Sequence, residues 1–328
     1  MTKLDLDRVA AQPSVAVRTS ARLHMGFFDL NGTLGRKFGS IGVSLNQPAL
    51  SLIISRATEF TAEGQAAERA IEIAKRIASL LKITGGMHIR LQHVIPEHSG
   101  LGSGTQLSLA IGMGLNALHQ RDLTANKIAV ITQRGLRSGI GLGTFALGGL
   151  IVDGGRAKTS PIPPVIAHAD FPEDWPILLI FDKGHLGVHG AEELSAFQNL
   201  PPFPDASAAL LCRHVLMQAL PAVAERDLPA FGQAIQVLQA VTGDYFAPAQ
   251  GGSRYTSPLV AKVLKQLEAN GVGCFGQSSW GPTGFAVFAN QCEAEKQLKL
   301  IIDTLGHEED LELLLTKANN QPSQIRLS

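Results

Sequence analysis

Two hydrophobic periods alternate along this chain, and the switches between them mark its elements. Val15 to Thr19, Ile41 to Leu45 and Leu50 to Ser55 are apolar and rich in β-branched residues, predicting strands. Asn46-Gln47-Pro48-Ala49 reads as a turn between the last two. Residues 65 to 82 predict a helix, with Ile73, Ile77, Leu80 and Leu81 in a stripe and Glu68, Arg69, Lys75 and Arg76 facing out. After Gly85-Gly86, Met87, Ile89 and Leu91 alternate with His88, Arg90 and Gln92, the period of a half-buried strand. A second apolar helix follows from Leu107, and a third runs from Thr124, its N-cap, to Arg134. Residues 135 to 155 are glycine-rich and apolar, predicting a loop followed by strands in close backbone approach.

Prolines 161, 163, 164, 172 and 176 mark a connector over residues 156 to 176. Ile177 to Phe181 reads as a strand, and helices are expected over 205 to 225, 227 to 241 and 257 to 270. The last has Ser257 as N-cap, Pro258 at its first position and Gly271 just past its end. Strands around 272 to 276 and 284 to 289 close the pattern. Strands and helices mix without regular βαβ alternation, so the fold class is α+β, and 328 residues suffice for two domains.

Composition narrows the function classes. Lys and Arg total 28 against 28 Asp and Glu, which gives no basic excess for a nucleic-acid binder. Cys212, Cys274 and Cys292 are scattered and odd in number, so neither a disulfide framework nor a zinc knuckle is expected. Met1 to Gln12 carries acids and lacks the apolar centre of a secretion signal, and no apolar run reads as a membrane span. A cytoplasmic, membrane-free enzyme of small molecules is the expectation.

The chemistry concentrates in a few stretches. PEHSGLGSGTQ, residues 96 to 106, puts three glycines and three hydroxyls directly before an apolar helix. Glycines turn successive N–H groups toward one point, and a helix N-terminus adds partial positive charge, so Gly100, Leu101, Gly102, Ser103, Gly104 and Thr105 predict a phosphate cradle. The Lys-Ser/Thr ending of a Walker loop is missing, and the spacing differs from a dinucleotide fingerprint. Arg134, Arg137 and Ser138, beside Gly139 and Gly141, read either as an anion clamp or as a solvated helix end. Asp182, His185, His189, Glu192 and Glu193 have metal-like spacing, but the intervening glycines disfavour one helical face, and a polar substrate loop fits better. Gln277, Ser278, Ser279, Trp280 and Thr283 crowd polar groups between two apolar strands.

Together these stretches resemble the GHMP kinase superfamily, which includes galactokinase, homoserine kinase and mevalonate kinase. PEHSGLGSGT is similar to its Pro-x-x-x-Gly-Leu-Gly-Ser-Ser loop, SARLHMG (20 to 26) stands at its Ala-Pro-x-Lys motif, and GQSSWGPTGFA (276 to 286) at its third motif. Arg22 in place of Lys, Gly104-Thr105-Gln106 in place of Ser-Ala-Ala, and Trp280-Gly281-Pro282 depart from the kinases. They match one branch, the β-ribofuranosylaminobenzene 5′-phosphate synthases, also through RGLRSGIGLGTFALGGLIVDGGR and GVHGAEE.

The resemblance implies a ribosomal-protein-S5-domain-2-like domain over residues 1 to 165 and a ferredoxin-like α/β domain over 166 to 328. It implies decarboxylating transfer from phosphoribosyl pyrophosphate to 4-aminobenzoate in tetrahydromethanopterin biosynthesis, with Mg²⁺, without pyridoxal phosphate or flavin, in a homodimer. On that chemistry the glycine loop takes the diphosphate. Arg22, or Gln277, Ser278, Ser279 and Thr283, takes the 5′-phosphate, and Asp29 or Asp182 faces the oxocarbenium-like ribose. Arg137, Ser138, His189 or His24 orients the aminobenzoate and Trp280 stacks on its ring; Ser103 and Glu192 are the metal candidates. An ATP-dependent kinase and a non-catalytic ligand sensor are the competing readings of the same fold.

Overall fold

In the computed structural model, residues 13–160, 162–185, 200–306 and 308–328 are described. Strand β1 (Ser14–Asp29) is 16 residues long, far beyond the short segment its β-rich start predicts. It runs antiparallel to β3 (Gly39–Ala57), with the two-residue β2 (Arg36–Lys37) between them in sequence. The turn expected at Asn46 to Ala49 lies instead inside β3, which passes through a cis Gln47–Pro48 bond without breaking. Both flanks of that tetrapeptide pair with the same neighbour, so the sheet holds extended what local sequence would bend.

β4 (Thr61–Glu63), which the sequence pattern does not mark, is followed by helix α1 (Ala67–Leu81) and β5 (Gly86–His93), as the periodicity predicts. Helix α2 (Ser103–Leu118) is buried through Leu107, Leu109, Ala110, Ile111 and Leu115 against the sheet. Helix α3 (Ala125–Thr132) is capped by Thr124, which accepts from Lys127 N. Residues 140–147 form helix α4 (Ile140–Leu147) where loop and strands are expected. Its glycines permit contacts that a side chain would block: a Cβ at Gly141 would lie 3.1 Å from Thr105 Cγ2, and one at Gly143 2.7 Å from Ile151 Cγ2. Tertiary packing thus overrides a sequence that reads as coil.

β6 (Leu150–Asp153), β7 (Arg156–Ala157) and β8 (Val165–Ala169) lead to β9 (Ile177–Asp182). Helix α5 (Asp205–His214) continues through a π-helical turn (Val215–Ala219) into α6 (Leu220–Glu225). This 21-residue stretch does reach the length and hydropathy of a membrane span, contrary to the sequence expectation. Ala208, Leu211, Val215, Ala219, Ala222 and Val223 bury one face of it in the protein core. Helices α7 (Leu228–Phe246) and α8 (Pro258–Ala269), strands β10 (Phe275–Gln277) and β11 (Gly284–Val287), helix α9 (Gln291–Leu305), and strands β12 (Leu311–Thr316) and β13 (Gln324–Leu327) complete the chain.

The first sheet has the path β13-β1-β3-β5-β4, with β6 joining β3 and β8 joining β6; the second has the order β10-β11-β9-β12. β8 begins at residue 165 and β13 lies beyond it, so the first sheet draws strands from both sides of the expected domain boundary. One apolar core joins β1, α2 and α7, and the 278–283 loop of the second half lies against the glycine loop of the first.

Candidate active site

Register shifts between Ser20 and Arg22, and between His24 and Gly26, re-aim two side chains of β1. The Arg22 guanidinium donates to the Gly100 carbonyl, and its backbone N donates to Leu101 O over 3.0 Å. Gly102 is the N-cap of α2, at φ 82°, where a Cβ would also press on Arg22 Cγ. No side chain caps this helix and no acid lies in its first turn, whereas Thr124, Asp227, Ser257 and Asn290 cap α3, α7, α8 and α9. An uncapped N-terminus keeps its donors and partial positive charge for an anion.

Cations gather around it. A Cβ at Gly104 would lie 2.5 Å from Arg69 Nη2 and 3.6 Å from Arg134 Cζ. Burial, then the like charges of Arg69 and Arg76, pull the Arg134 guanidinium below its ordinary range. Glu97 pairs with Arg69 at 2.5 Å and offsets part of this charge. Arg22, Arg69 and Arg134 therefore ring the α2 N-terminus as three guanidiniums suited to phosphate oxygens. Sequence reading placed Arg69 on a solvated helix face, because only the fold brings α1 over the loop. The α4 N-terminus adjoins it: Gln106 Nε2 donates to Gly141 O at 2.8 Å.

The 278–283 segment braces the loop more than it offers atoms to a ligand. Ser278 Oγ donates to Gly100 O at 2.9 Å and accepts from His24 N at 3.1 Å. Gln277 Oε1 accepts from Thr256 N and Oγ1, while its Nε2 donates to Gln250 and to Ser279 O. These two expected phosphate ligands are thus committed to protein partners. Ser279, at φ 57°, donates its N–H to His24 O. Gly281 packs backbone to backbone on Gly100, and a Cβ there would collide with it. Leu101 is fully buried, leaving only its backbone near the cradle.

Asp182 lies at the end of β9 and lines a cleft of about 160 Å³ together with Ser99, His98, His185, Pro282 and Thr283. Its Oδ2 accepts from Ser257 Oγ at 2.6 Å and its Oδ1 from Gly184 N at 3.0 Å. Thr283 is wholly buried there, and its hydroxyl has no partner among the described residues. Asp29 instead closes a turn: Oδ1 accepts from Asn31 N and Gly32 N. Its placement facing the ribose has no support in these contacts. Ser138 is likewise engaged, by Ser40 and by Asp153, while Arg137 sits beside it in the segment entering α4. The expected ligands His189 and Glu192 lie outside the described residues. Among the described residues no group of three His, Cys, Asp or Glu is arranged to hold a metal ion.

Asp153 is the titratable group the sequence did not reveal. It is 0% exposed, accepts from Ser40 Oγ, Gly139 N and Gly155 N, and sits at the α4 N-terminus. Burial pushes its carboxyl up to about 6 against those hydrogen bonds. His24 is 1% exposed, its ring 4.5 Å from that of Phe27 and tilted 60° to it; burial, then the charge of Arg22, lowers its imidazole to about 3. It stays neutral at physiological pH, so it cannot act there as a cation for a carboxylate. Trp280 meets Phe246 edge-on at 4.7 Å and forms one wall of the cavity beside His24. A larger groove, about 360 Å³, runs along β1 and β3 by Arg18, Gln92 and Arg326, and shares no lining residue with these loops.

Family models match both halves: the GHMP kinases N terminal domain over residues 66–149 and the GHMP kinases C terminal domain over 219–299. The first span includes Arg69, the glycine loop, Arg134 and α4; the second includes the Trp280 loop. The β-ribofuranosylphenol 5′-phosphate synthase of Archaeoglobus fulgidus is 34% identical, over 95% of this chain and 99% of that one. This chain belongs to that family. Its counterpart from Methanothermobacter thermautotrophicus is 34% identical over 83% of this chain and 88% of its own. The fold is that of the GHMP kinases: homoserine kinase from Cytophaga hutchinsonii superposes with a TM-score of 0.66 at 16% identity, covering 95% and 97% of the two chains. For the family, the relatives' name specifies a phenol where the sequence resemblance specifies an aminobenzene; the products differ in one para group.

Proposed function

We propose that this protein transfers the phosphoribosyl group of phosphoribosyl pyrophosphate to a benzoate carrying an electron-donating para group, releasing carbon dioxide and pyrophosphate. The observation that carries the reading is the uncapped α2 N-terminus ringed by Arg22, Arg69 and Arg134 beside an aromatic-walled cavity. A double-anion donor needs the first feature, and the second admits one small substituent of an aromatic acceptor. The relatives' name supports a ribofuranosylphenol product. A 4-aminobenzoate acceptor gives the aminobenzene counterpart by the same steps.

In the reaction the bond from the anomeric carbon to the diphosphate oxygen breaks, and its electron pair leaves with pyrophosphate. Guanidiniums and helix N–H groups at the α2 N-terminus stabilise that developing charge. The ring carbon bearing the carboxylate bonds to the anomeric carbon, pushed by the para hydroxyl or amino group. The carboxyl–ring bond then breaks, its pair restoring the aromatic ring as carbon dioxide leaves. The balance needs no net proton transfer, which accords with a buried His24 that stays neutral.

Mg²⁺ would be carried by the diphosphate, with the Ser103 hydroxyl at the start of α2 as a protein ligand. Mg²⁺ keeps water and substrate phosphates as most of its ligands and so needs no carboxylate cage. Competition binding separates this reading from a kinase. Phosphoribosyl pyrophosphate displaced by pyrophosphate and untouched by excess ATP supports it; ATP displacing it with phosphate transferred to an alcohol contradicts it.

A further inference from the structure

The cavity beside His24 is small, about 30 Å³, room for a water-sized group and not for a ring. Phe27, Phe246 and Trp280 wall it with aromatic surface. Its polar residues are mostly occupied. Gln239 Nε2 donates to Met25 O and Gln277 O, and its Oε1 accepts from Gln277 N. Thr242 Oγ1 donates to Leu238 O at 2.7 Å, and the Gln277 amide is bonded as above. At His24 both ring nitrogens are buried and neither has a hydrogen-bond partner among the described residues.

A neutral imidazole carries one N–H donor and one bare nitrogen acceptor. Leaving both unmet inside a protein is costly, and a ligand group that bonds to them removes that cost. On the proposed transfer reading, we infer that His24 recognises the para substituent of the aromatic acceptor: a hydroxyl or amino group enters the small cavity and bonds to the imidazole, while the ring stays at the cavity's mouth. Arg22 lies two residues earlier on the same strand, about 7 Å of chain away, and faces the glycine loop. Strand β1 thus carries both recognition groups, one for the leaving diphosphate and one for the acceptor's far end. The acceptor carboxylate, at the opposite end of the ring, points away from His24. The histidine therefore reads a neutral group by hydrogen bonding, in place of the carboxylate-orienting role expected from sequence.

The test uses 4-hydroxybenzoate, 4-aminobenzoate and 4-methylbenzoate, titrated calorimetrically into full-length protein loaded with pyrophosphate. The methyl compound matches the others in size and lacks the polar group. Wild type is expected to bind the hydroxy and amino compounds at least about tenfold more tightly than the methyl one, since a site built for a polar substituent rejects the analogue lacking it. His24→Leu should bring that ratio near one, with pyrophosphate affinity unchanged; His24→Gln, which retains a donor and an acceptor, should keep a preference. His24→Phe replaces the leucine variant if that fails to fold. A ratio that survives in the apolar variant, or no preference in wild type, overturns the inference. Because binding is read without turnover, failure of the transfer reaction itself is seen separately, as absent product with the binding ratio intact.

Discussion

His24 and Asp153 push stability in opposite directions with pH, and removing either should expose the other. His24 is held neutral: its pKa falls from 6.5 to about 3 on folding. Its contribution is complete above pH 6.5 and is lost as pH falls from there toward 3, because the unfolded chain binds the proton that the folded one refuses. At about 1.4 kcal/mol per unit, lowering the pH from 7.5 to 5 costs about 2 kcal/mol. Asp153 is raised from 3.8 to about 6, so its contribution is complete below 3.8 and is lost as pH rises through 6. Between pH 5 and 7.5 that loss is about 1.4 kcal/mol. In the wild type the two partly offset, leaving a net loss of about 0.6 kcal/mol on going from pH 7.5 to 5. Urea titrations at pH 5, 6 and 7.5 read the difference from wild type. His24→Leu should gain about 2 kcal/mol relative to wild type as pH falls to 5, and Asp153→Asn about 1.4 kcal/mol as it rises to 7.5. Variant and wild-type curves that stay parallel across this window would refute the burial argument for both groups.

Gly281→Ala should cost about 1–3 kcal/mol and most of the activity, because its Cβ collides with the Gly100 backbone. Gly273→Ala, with nothing within 4 Å, is the control expected to stay near wild type in melting temperature and rate. Arg134→Gln should raise KM for the phosphorylated donor about tenfold to a hundredfold, the loss of a charge-assisted contact, with KM for the aromatic acceptor unchanged. Ser278→Ala removes the hydroxyl joining His24 N–H to the Gly100 carbonyl and should lower stability by about 1–2 kcal/mol in denaturant titrations.

The glycine loop and its helix were legible because their chemistry is local: three glycines, three hydroxyls and an apolar run lie within one turn-and-helix unit. The caps at Thr124 and Ser257 could be read for the same reason. What stayed hidden depends on distant contacts. Arg69 comes over Gly104 only because α1 packs beside α2, and nothing in its own neighbourhood marks it. Ser278 reads as a ligand until the fold brings Gly100 and His24 to its hydroxyl. Helix α4 was hidden by the glycines that allow it to pack, and Asp153 by its place in a glycine-rich stretch that reads as a loop followed by strands. Asp29 looked catalytic by its charge; the turn at Asn31 and Gly32 uses that carboxylate.

The most direct test of the central claim is to supply phosphoribosyl pyrophosphate, Mg²⁺ and carboxyl-labelled 4-hydroxybenzoate or 4-aminobenzoate, and to count released carbon dioxide against riboside phosphate. One labelled carbon dioxide per riboside and per pyrophosphate, from either acceptor, is the predicted result. Riboside that retains the label, or folded protein that releases none from either acceptor, would contradict it.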